Sequence, residues 1–102
     1  MSFPAKHVPN PLAVMRKAGY FPFTDPNTHK ESFIFRPTAE RYPRFHVYIR
    51  EEKGQIVFDL HIDQKKPSYS GTRMHAGEYD GPTVKKELER IAQWVVAVKK
   101  GI

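Results

Sequence analysis

The sequence predicts a single α+β domain over residues 1–102, with the order α-β-β-β-α and a three-stranded antiparallel sheet covered on one face by helices. The first supporting observation is an alternation of apolar and polar residues on both sides of a tight turn at 52–54. The second is a helical pattern before and after the strands, with residues that begin and end helices. Because such a sheet has one apolar face, two amphipathic helices can bury it.

The first helix is predicted between Asn10 and Gly19. Asn10 is a favourable N-cap, and Pro11 fits the first helical position. Gly19 can adopt the left-handed conformation that ends a helix. Residues 1–9 contain two prolines and are expected to be irregular, and residues 20–30 are expected to form a turn-rich connection.

Three strands are predicted after this connection. The first covers 32–36, and the other two, 44–51 and 55–63, form a hairpin whose turn ends in Gly54. Since side chains alternate along a strand, one face of the hairpin is apolar and the other carries polar and ionisable residues. Together with the apolar face of the last helix, the predicted core consists of Phe45, Val47, Ile49, Ile56, Phe58, Leu60, Leu88, Ile91 and Val95.

The last helix is predicted to begin at Pro82, with Asp80 or Gly81 as its cap. Gly101 is expected to end it. Between the hairpin and this helix, residues 64–81 contain no recognisable element. Because connections of this length are uncommon, we interpret this one as a functional or mobile loop.

Composition restricts the classes of partner. The net charge is +6, from 17 Lys and Arg against 11 Asp and Glu, which favours RNA or DNA, with simple solubility as the alternative explanation. The absence of cysteine excludes disulfides and thiolate zinc sites. No apolar run approaches the roughly 18 residues that span a bilayer, and no signal-peptide core follows residue 1. We therefore expect a cytoplasmic protein without a membrane partner.

Two RNA-related families share features with this chain. Residues 15–20, a helix end followed by Gly and an aromatic residue, resemble the first helix of the HicA-type mRNA interferase toxins. In those toxins a Gly-Ser-His sequence with a catalytic His enters a strand, whereas residues 27–29 here are Asn-Thr-His. The element order also resembles the double-stranded-RNA-binding fold, whose last helix opens with a Lys pair that contacts phosphates. Lys85 and Lys86 lie close to that position, so both resemblances imply RNA as the partner.

Four ionisable residues near the end of the hairpin form a candidate site. His61 and Asp63 are two residues apart on a strand and so share a face, and His75 and Glu78 follow in the next segment. Two His and two carboxylates match the ligands of a divalent metal such as Zn, Mn or Fe. Alternatively, His61, Asp63 and His75 are catalytic, with His61 as a general base oriented by a carboxylate. The remaining interpretation is a set of solvated residues on the open face of the sheet.

A nucleic-acid surface is predicted from two basic segments. Basic side chains can contact phosphates, and a tyrosine ring can stack on a base. The alternative interpretation of the first segment is a flexible, soluble loop. The predicted contact residues are Lys65, Lys66, Tyr69 and Arg73 after the hairpin and Lys85 and Lys86 on the last helix.

The open face of the hairpin is a further candidate surface. Aromatic and basic residues on an open sheet can bind single-stranded RNA by stacking, although an ordinary solvent-facing sheet has the same pattern. The residues predicted on this face are His46, Tyr48, Arg50, Val57 and His61.

Trp94 lies one position away from the apolar stripe of the last helix. It either seals the edge of the core or forms a protein-binding patch with Val98 and Ile102. A protein partner at this region is therefore a third alternative beside nucleic-acid binding and a metal- or histidine-dependent enzyme.

Three functions follow from these patterns. The first is a small nucleic-acid-associated domain, with RNA ahead of DNA, that uses the basic loop and the basic last helix. The second is a small metal- or histidine-dependent hydrolase or nuclease at His61, Asp63 and His75. The third is a non-catalytic interaction module, so the sequence leaves open whether the protein is an enzyme.

Overall fold

The described part of the chain forms two α-helices, one 3-10 helix and six strands. The computed structural model describes residues 1–40, 43–63 and 81–101, and the backbone of 77–78. In chain order the elements are β1 (Ser2–Pro4), a 3-10 helix (Ala5–His7), α1 (Pro11–Lys17), β2 (Phe21–Thr24), β3 (Glu31–Phe35), β4 (Arg44–Glu52), β5 (Gln55–Asp63), β6 (Gly77–Glu78) and α2 (Pro82–Lys99).

The sheet is wider than the sequence indicates. Five strands follow the order β1-β5-β4-β3-β2, every neighbouring pair is antiparallel, and β6 pairs with the end of β5. The α+β class is confirmed, but the prediction of three strands is wrong. The strand β2 was missed because its Pro22 argues against a strand, although proline is tolerated on an edge strand, where an N–H is not needed.

The first residues are also more regular than expected. Ser2–Pro4 pairs with residues 55–57, and the Phe58 amide donates a 2.7 Å hydrogen bond to the Met1 carbonyl. Ala5–His7 then forms the 3-10 helix, so the prediction of an irregular segment at 1–9 is wrong. A three-residue strand is too short to show a periodicity, and its partner lies about 55 residues away along the chain.

The β4–β5 hairpin sets the geometry of the site. Lys53 and Gly54 have φ values of 51° and 76°, which is the backbone of a two-residue turn with both central residues left-handed. Such a turn places Glu52 opposite Gln55 and fixes every pair further along the hairpin.

The helices begin where the sequence predicts. The Asn10 side chain accepts a 3.1 Å hydrogen bond from the Ala13 amide at the start of α1, and Gly81 is the N-cap of α2 before Pro82. The predicted 64–81 loop contains β6, and its residues 64–76 and 79–80 lie outside the described residues. No helix in the described ranges combines the length and apolar character required to cross a bilayer.

The core lies between the helices and one face of the sheet, and α1 and α2 contact each other over it. Seven of the nine predicted core residues are buried, and the other two, Ile49 and Leu88, are partly buried against the same cluster. The additional buried members include Val14, Met15, Tyr20, Ile62 and Val84. The opposite side of the sheet, called the outer face below, carries the candidate site.

Candidate functional site

The site is built by the register of the hairpin. His46 lies directly opposite His61, and Arg44 lies directly opposite Asp63. Since residues two apart on a strand share a face, all four side chains lie on the outer face. Cross-strand partners in an antiparallel pair have Cβ atoms about 4.5–5.5 Å apart, so this register brings the four side chains together.

The Asp63 carboxylate is the centre of the cluster. Its Oδ2 accepts hydrogen bonds from His46 Nδ1 at 3.0 Å and from Arg44 Nε at 3.2 Å. Its Oδ1 lies 3.4 Å from His61 Nε2. Two imidazoles and one guanidinium therefore share a single carboxylate.

The surroundings of Asp63 act on its pKa in opposite directions. Burial favours the neutral acid and raises the pKa, whereas hydrogen bonds from His46, His61 and Arg44 stabilise the carboxylate and lower it. The hydrogen bonds outweigh burial and hold the pKa of Asp63 well below its ordinary value. The carboxyl group is thus ionised at neutral and mildly acidic pH.

His46 is fixed at both ring nitrogens. While Nδ1 faces Asp63, Nε2 lies 2.9 Å from the Ser32 hydroxyl on β3. Ser32 is 2% exposed and His46 is 8% exposed, so this part of the network is enclosed. Ser32 has the position relative to His46 that a nucleophile has in a Ser-His-Asp triad, but its burial excludes an attack on a large substrate. We interpret Ser32 as a residue that orients the His46 ring.

Three rings form a continuous group beside this network, named the ring group here: Tyr48, His46 and His61. Tyr48 is stacked on His46 with centroids 5.2 Å apart and on His61 at 5.9 Å, and the two imidazoles are 5.1 Å apart. The Lys30 ammonium lies 5.2 Å from the centre of the Tyr48 ring. A cation is therefore in contact with the Tyr48 ring of the ring group.

A groove of about 470 Å³ opens over His61 and Tyr48. Lys30 and Arg50 also line it, together with Asp59. Arg50 donates to Glu52 at 2.7 Å and forms an ion pair with Asp59, so two carboxylates offset its charge. Glu31 also lines the groove, which therefore presents a ring, an imidazole and the Lys30 ammonium to a ligand beside a paired Arg50 and two carboxylates.

The structure brings together only part of the predicted site. His61 and Asp63 lie side by side as predicted, and among the described residues the third ionisable ligand group is His46. The predicted His75 lies outside the described residues. The backbone of Glu78 is opposite Ile62, and Gly77 is opposite Asp63, so the chain returns beside the end of β5 before α2.

Only some of the predicted nucleic-acid contact residues lie in the described part of the chain. Lys65, Lys66, Tyr69 and Arg73 lie outside the described residues. Lys85 and Lys86 are exposed on α2, which covers the other side of the sheet from the ring group.

Trp94 and Val98 are partly buried against the core. This packing agrees with the interpretation in which Trp94 seals the edge of the core. Ile102, the third member of the predicted patch, lies outside the described residues.

Sequence reasoning missed Arg44, Ser32 and the partnership of His46 with Asp63. The signal that identifies Arg44 and His46 is the hairpin register, because a two-residue turn at Lys53 and Gly54 dictates which residues face each other. Ser32 offers no comparable signal, since its contact depends on how β3 is aligned with β4.

Three kinds of chemistry are available to this arrangement. A ring group with adjacent cations can bind a base and its phosphate, an imidazole beside a carboxylate can transfer a proton, and two imidazoles with a carboxylate can ligate a metal. Comparisons with protein-family models, curated proteins and solved structures found no match. The geometry of the outer face is therefore the basis for a proposed function.

Proposed function

We propose that this protein is a small RNA-binding domain that holds single-stranded RNA against the outer face of its sheet. The observation that carries the proposal is the ring group with the Lys30 ammonium 5.2 Å from the Tyr48 ring centre. Sheets that bind single-stranded RNA use rings for base stacking and nearby cations for the phosphates. A groove of about 470 Å³ over Tyr48 and His61 gives a nucleotide a place to bind.

The charge of the protein supports the same partner. The net charge of +6 attracts a polyanion over a distance, and Lys30 and Arg44 lie at the outer face itself. The predicted contribution of the last helix stays a separate prediction, because Lys85 and Lys86 lie on the other side of the sheet. The two surfaces are distinguishable by substitution.

Fluorescence anisotropy with a labelled single-stranded RNA tests the proposal. Affinity should fall steeply with added salt, because neutralised phosphates release counterions. Tyr48→Leu should weaken binding by about 1–3 kcal/mol through lost stacking, and Lys30→Ala should weaken it and flatten the salt dependence. The matched control is the double variant Lys85→Ala, Lys86→Ala, which removes two charges from the opposite side.

The RNA affinities of these variants show whether the outer face or α2 contacts the RNA. Weaker binding for the outer-face variants with little change for the helix variant supports the proposal. The reverse pattern would move the contact to α2. Absence of binding to RNA at low ionic strength would remove RNA as the partner, and a duplex or single-stranded DNA bound more tightly would identify DNA instead.

Hydrolysis of a phosphodiester is a second candidate function. The observation that favours it is the position of His61 in the groove with its Nε2 3.4 Å from the Asp63 carboxylate. A carboxylate beside an imidazole orients the ring and stabilises the imidazolium that forms when the ring takes a proton.

Cleavage of end-labelled RNA, with and without added divalent metal, tests this candidate. Activity should be lost in His61→Gln and Asp63→Asn and retained in His29→Gln, whose side chain lies in the exposed β2–β3 connection. Loss in His29→Gln alone would instead favour the resemblance to HicA-type toxins. Activity that survives all three substitutions would exclude the cluster as its source.

A further inference from the structure

We propose that His46, His61 and Asp63 form a binding site for a divalent first-row transition metal ion such as Zn²⁺. One ligand atom from each residue lies within 4.8 Å of the other two. The proposal concerns the same cluster that supports the hydrolase candidate, but it does not depend on RNA binding or on catalysis.

The spacing of the ligand atoms fits a metal. Bonds from Zn²⁺ to nitrogen and oxygen are about 2.0–2.2 Å long, so neighbouring ligand atoms in a tetrahedral site lie about 3.3–3.6 Å apart. The distance from Asp63 to His61 Nε2 is 3.4 Å, and the distance from Asp63 to His46 Nδ1 is 3.0 Å. These two distances involve different oxygens of the Asp63 carboxylate, and the three ligand atoms together lie within 4.8 Å of one another. A closing shift of up to about 1.5 Å among them would therefore bring the set to the spacing of a tetrahedral site.

The ligands are held by the sheet rather than by a loop. His46 and His61 are direct cross-strand partners, and Asp63 follows two residues later on the same face. The ladder of β4 and β5 therefore fixes their separation before any ion binds. Ligands on regular elements lose little freedom on binding, which favours affinity.

The neighbours of the ligands are suited to a metal site. When Nδ1 of His46 binds the ion, the ring proton moves to Nε2, which then donates to the Ser32 hydroxyl 2.9 Å away. A ligating His commonly donates its other N–H to such an acceptor. Arg44 Nε donates to Asp63 Oδ2 at 3.2 Å and so orients the carboxylate. The positive charge of Arg44 repels the metal dication, which limits the affinity of the site.

The ligand set also restricts the metal. Two imidazoles and one carboxylate suit Zn²⁺, and the same set with open positions suits Fe²⁺. Three protein ligands leave a position for water or a substrate oxygen, as in catalytic rather than structural zinc sites.

Isothermal titration calorimetry of the full, tag-free chain with Zn²⁺ tests the proposal. A parallel titration with Co²⁺ gives visible absorption bands that report nitrogen and oxygen ligation. We expect one equivalent to bind, with affinity reduced by more than about 100-fold in His46→Gln, His61→Gln and Asp63→Asn, since loss of a ligand costs more than the roughly 10–100-fold lost with an outer hydrogen-bond partner. The matched control is His29→Gln, which should bind as the wild type does. Ser32→Ala should retain binding with affinity reduced by about 10–100-fold.

A measurement on the wild type keeps the test independent of whether the variants fold. Addition of Zn²⁺ should move the ring NMR signals of His46 and His61 and leave those of His7 and His29 in place. Unmoved His46 and His61 signals would overturn the proposal, as would unchanged Zn²⁺ affinity in folded His61→Gln. Because no RNA is present, either failure leaves the RNA-binding proposal to its own test.

Discussion

The Tyr20 hydroxyl donates a 2.7 Å hydrogen bond to Oε2 of Glu87, a residue 67 positions later in the chain. The bond is buried and joins the segment between α1 and β2 to the second turn of α2. Arg90 completes the arrangement, since it donates to both Glu87 oxygens and to the Ala18 carbonyl at 2.7–2.8 Å. The buried Glu87 carboxylate is tolerated because Tyr20 and Arg90 donate hydrogen bonds to its two oxygens.

Tyr20→Phe should reduce the free energy of unfolding by about 1.5–3 kcal/mol. The substitution keeps the ring and removes one charge-assisted hydrogen bond from Glu87, which is buried. Urea denaturation followed by circular dichroism measures the effect. The control is Val96→Ala on the exposed side of α2, and an equal loss in both variants would contradict the assigned role.

Stability should also fall at high pH, and Tyr20 should account for part of the fall. Burial, and then the hydrogen bond and charge of Glu87, raise the pKa of Tyr20 far above its ordinary value. A raised pKa in the folded state means that the stabilisation is complete below about pH 10, the value for an unfolded tyrosine, and is lost above it. The expected slope is up to about 1.4 kcal/mol per pH unit.

This alkaline slope is measurable by repeating the urea denaturation from pH 9 upwards. Tyr20→Phe should lose less stability than the wild type over that range, because it has no phenol to ionise at this position. Val96→Ala again serves as the control, here for effects of alkaline pH that do not involve Tyr20. Parallel curves for the wild type and Tyr20→Phe would show that another group causes the loss.

Gly19→Ala should destabilise the protein more than Gly54→Ala. Both glycines have positive φ values, 95° and 76°, so alanine is strained by about 1 kcal/mol at either position. A Cβ at Gly19 would also lie 3.1 Å from the Phe35 ring, whereas nothing lies within 4 Å at Gly54. Phe35 cannot easily move, because Tyr20 and Arg90 pack against it. In thermal melts, Gly19→Ala should therefore have a lower midpoint temperature than Gly54→Ala.

Ile91→Ala should cost about 2–5 kcal/mol, and Leu88→Ala should cost less. Ile91 is fully buried, whereas Leu88 is only partly buried at the edge of the same cluster. Val96→Ala, on the exposed side of α2, should change stability by no more than about 0.5 kcal/mol. The ranking of the three free energies, measured in urea, tests which face of α2 is packed.

The sequence predicts those parts of the fold that depend on local chemistry. Asn10 and Pro11 mark the start of α1, and the turn at Lys53 and Gly54 marks the hairpin. The same turn fixes the pairing of His46 with His61, which was not predicted. The strand β1 pairs with a distant strand, β5, whereas β2 pairs with the adjacent β3, and neither β1 nor β2 has the length or composition to show a pattern of its own. His61 and Asp63 lie two residues apart on one strand, so the sequence alone places them on the same face. The contact between Ser32 and His46 joins β3 to β4 and depends on how these strands are aligned, so the sequence did not identify it.

The ring proton of metal-free His46 should lie on Nδ1. The Asp63 carboxylate can only accept a hydrogen bond, so the neutral ring should carry its proton on Nδ1, and the Ser32 hydroxyl should donate to Nε2. Two-dimensional ¹H–¹⁵N NMR of the chelator-treated protein reads this tautomer directly. Ser32→Ala should leave the proton on Nδ1, because Asp63 is unchanged. Asp63→Asn should move the ring proton to Nε2 in a measurable fraction of the molecules. The same substitution should reduce the free energy of unfolding by about 1–3 kcal/mol, because charge-assisted hydrogen bonds from His46 and Arg44 are lost. A wild-type ring with its proton on Nε2 would show that Asp63 does not orient His46.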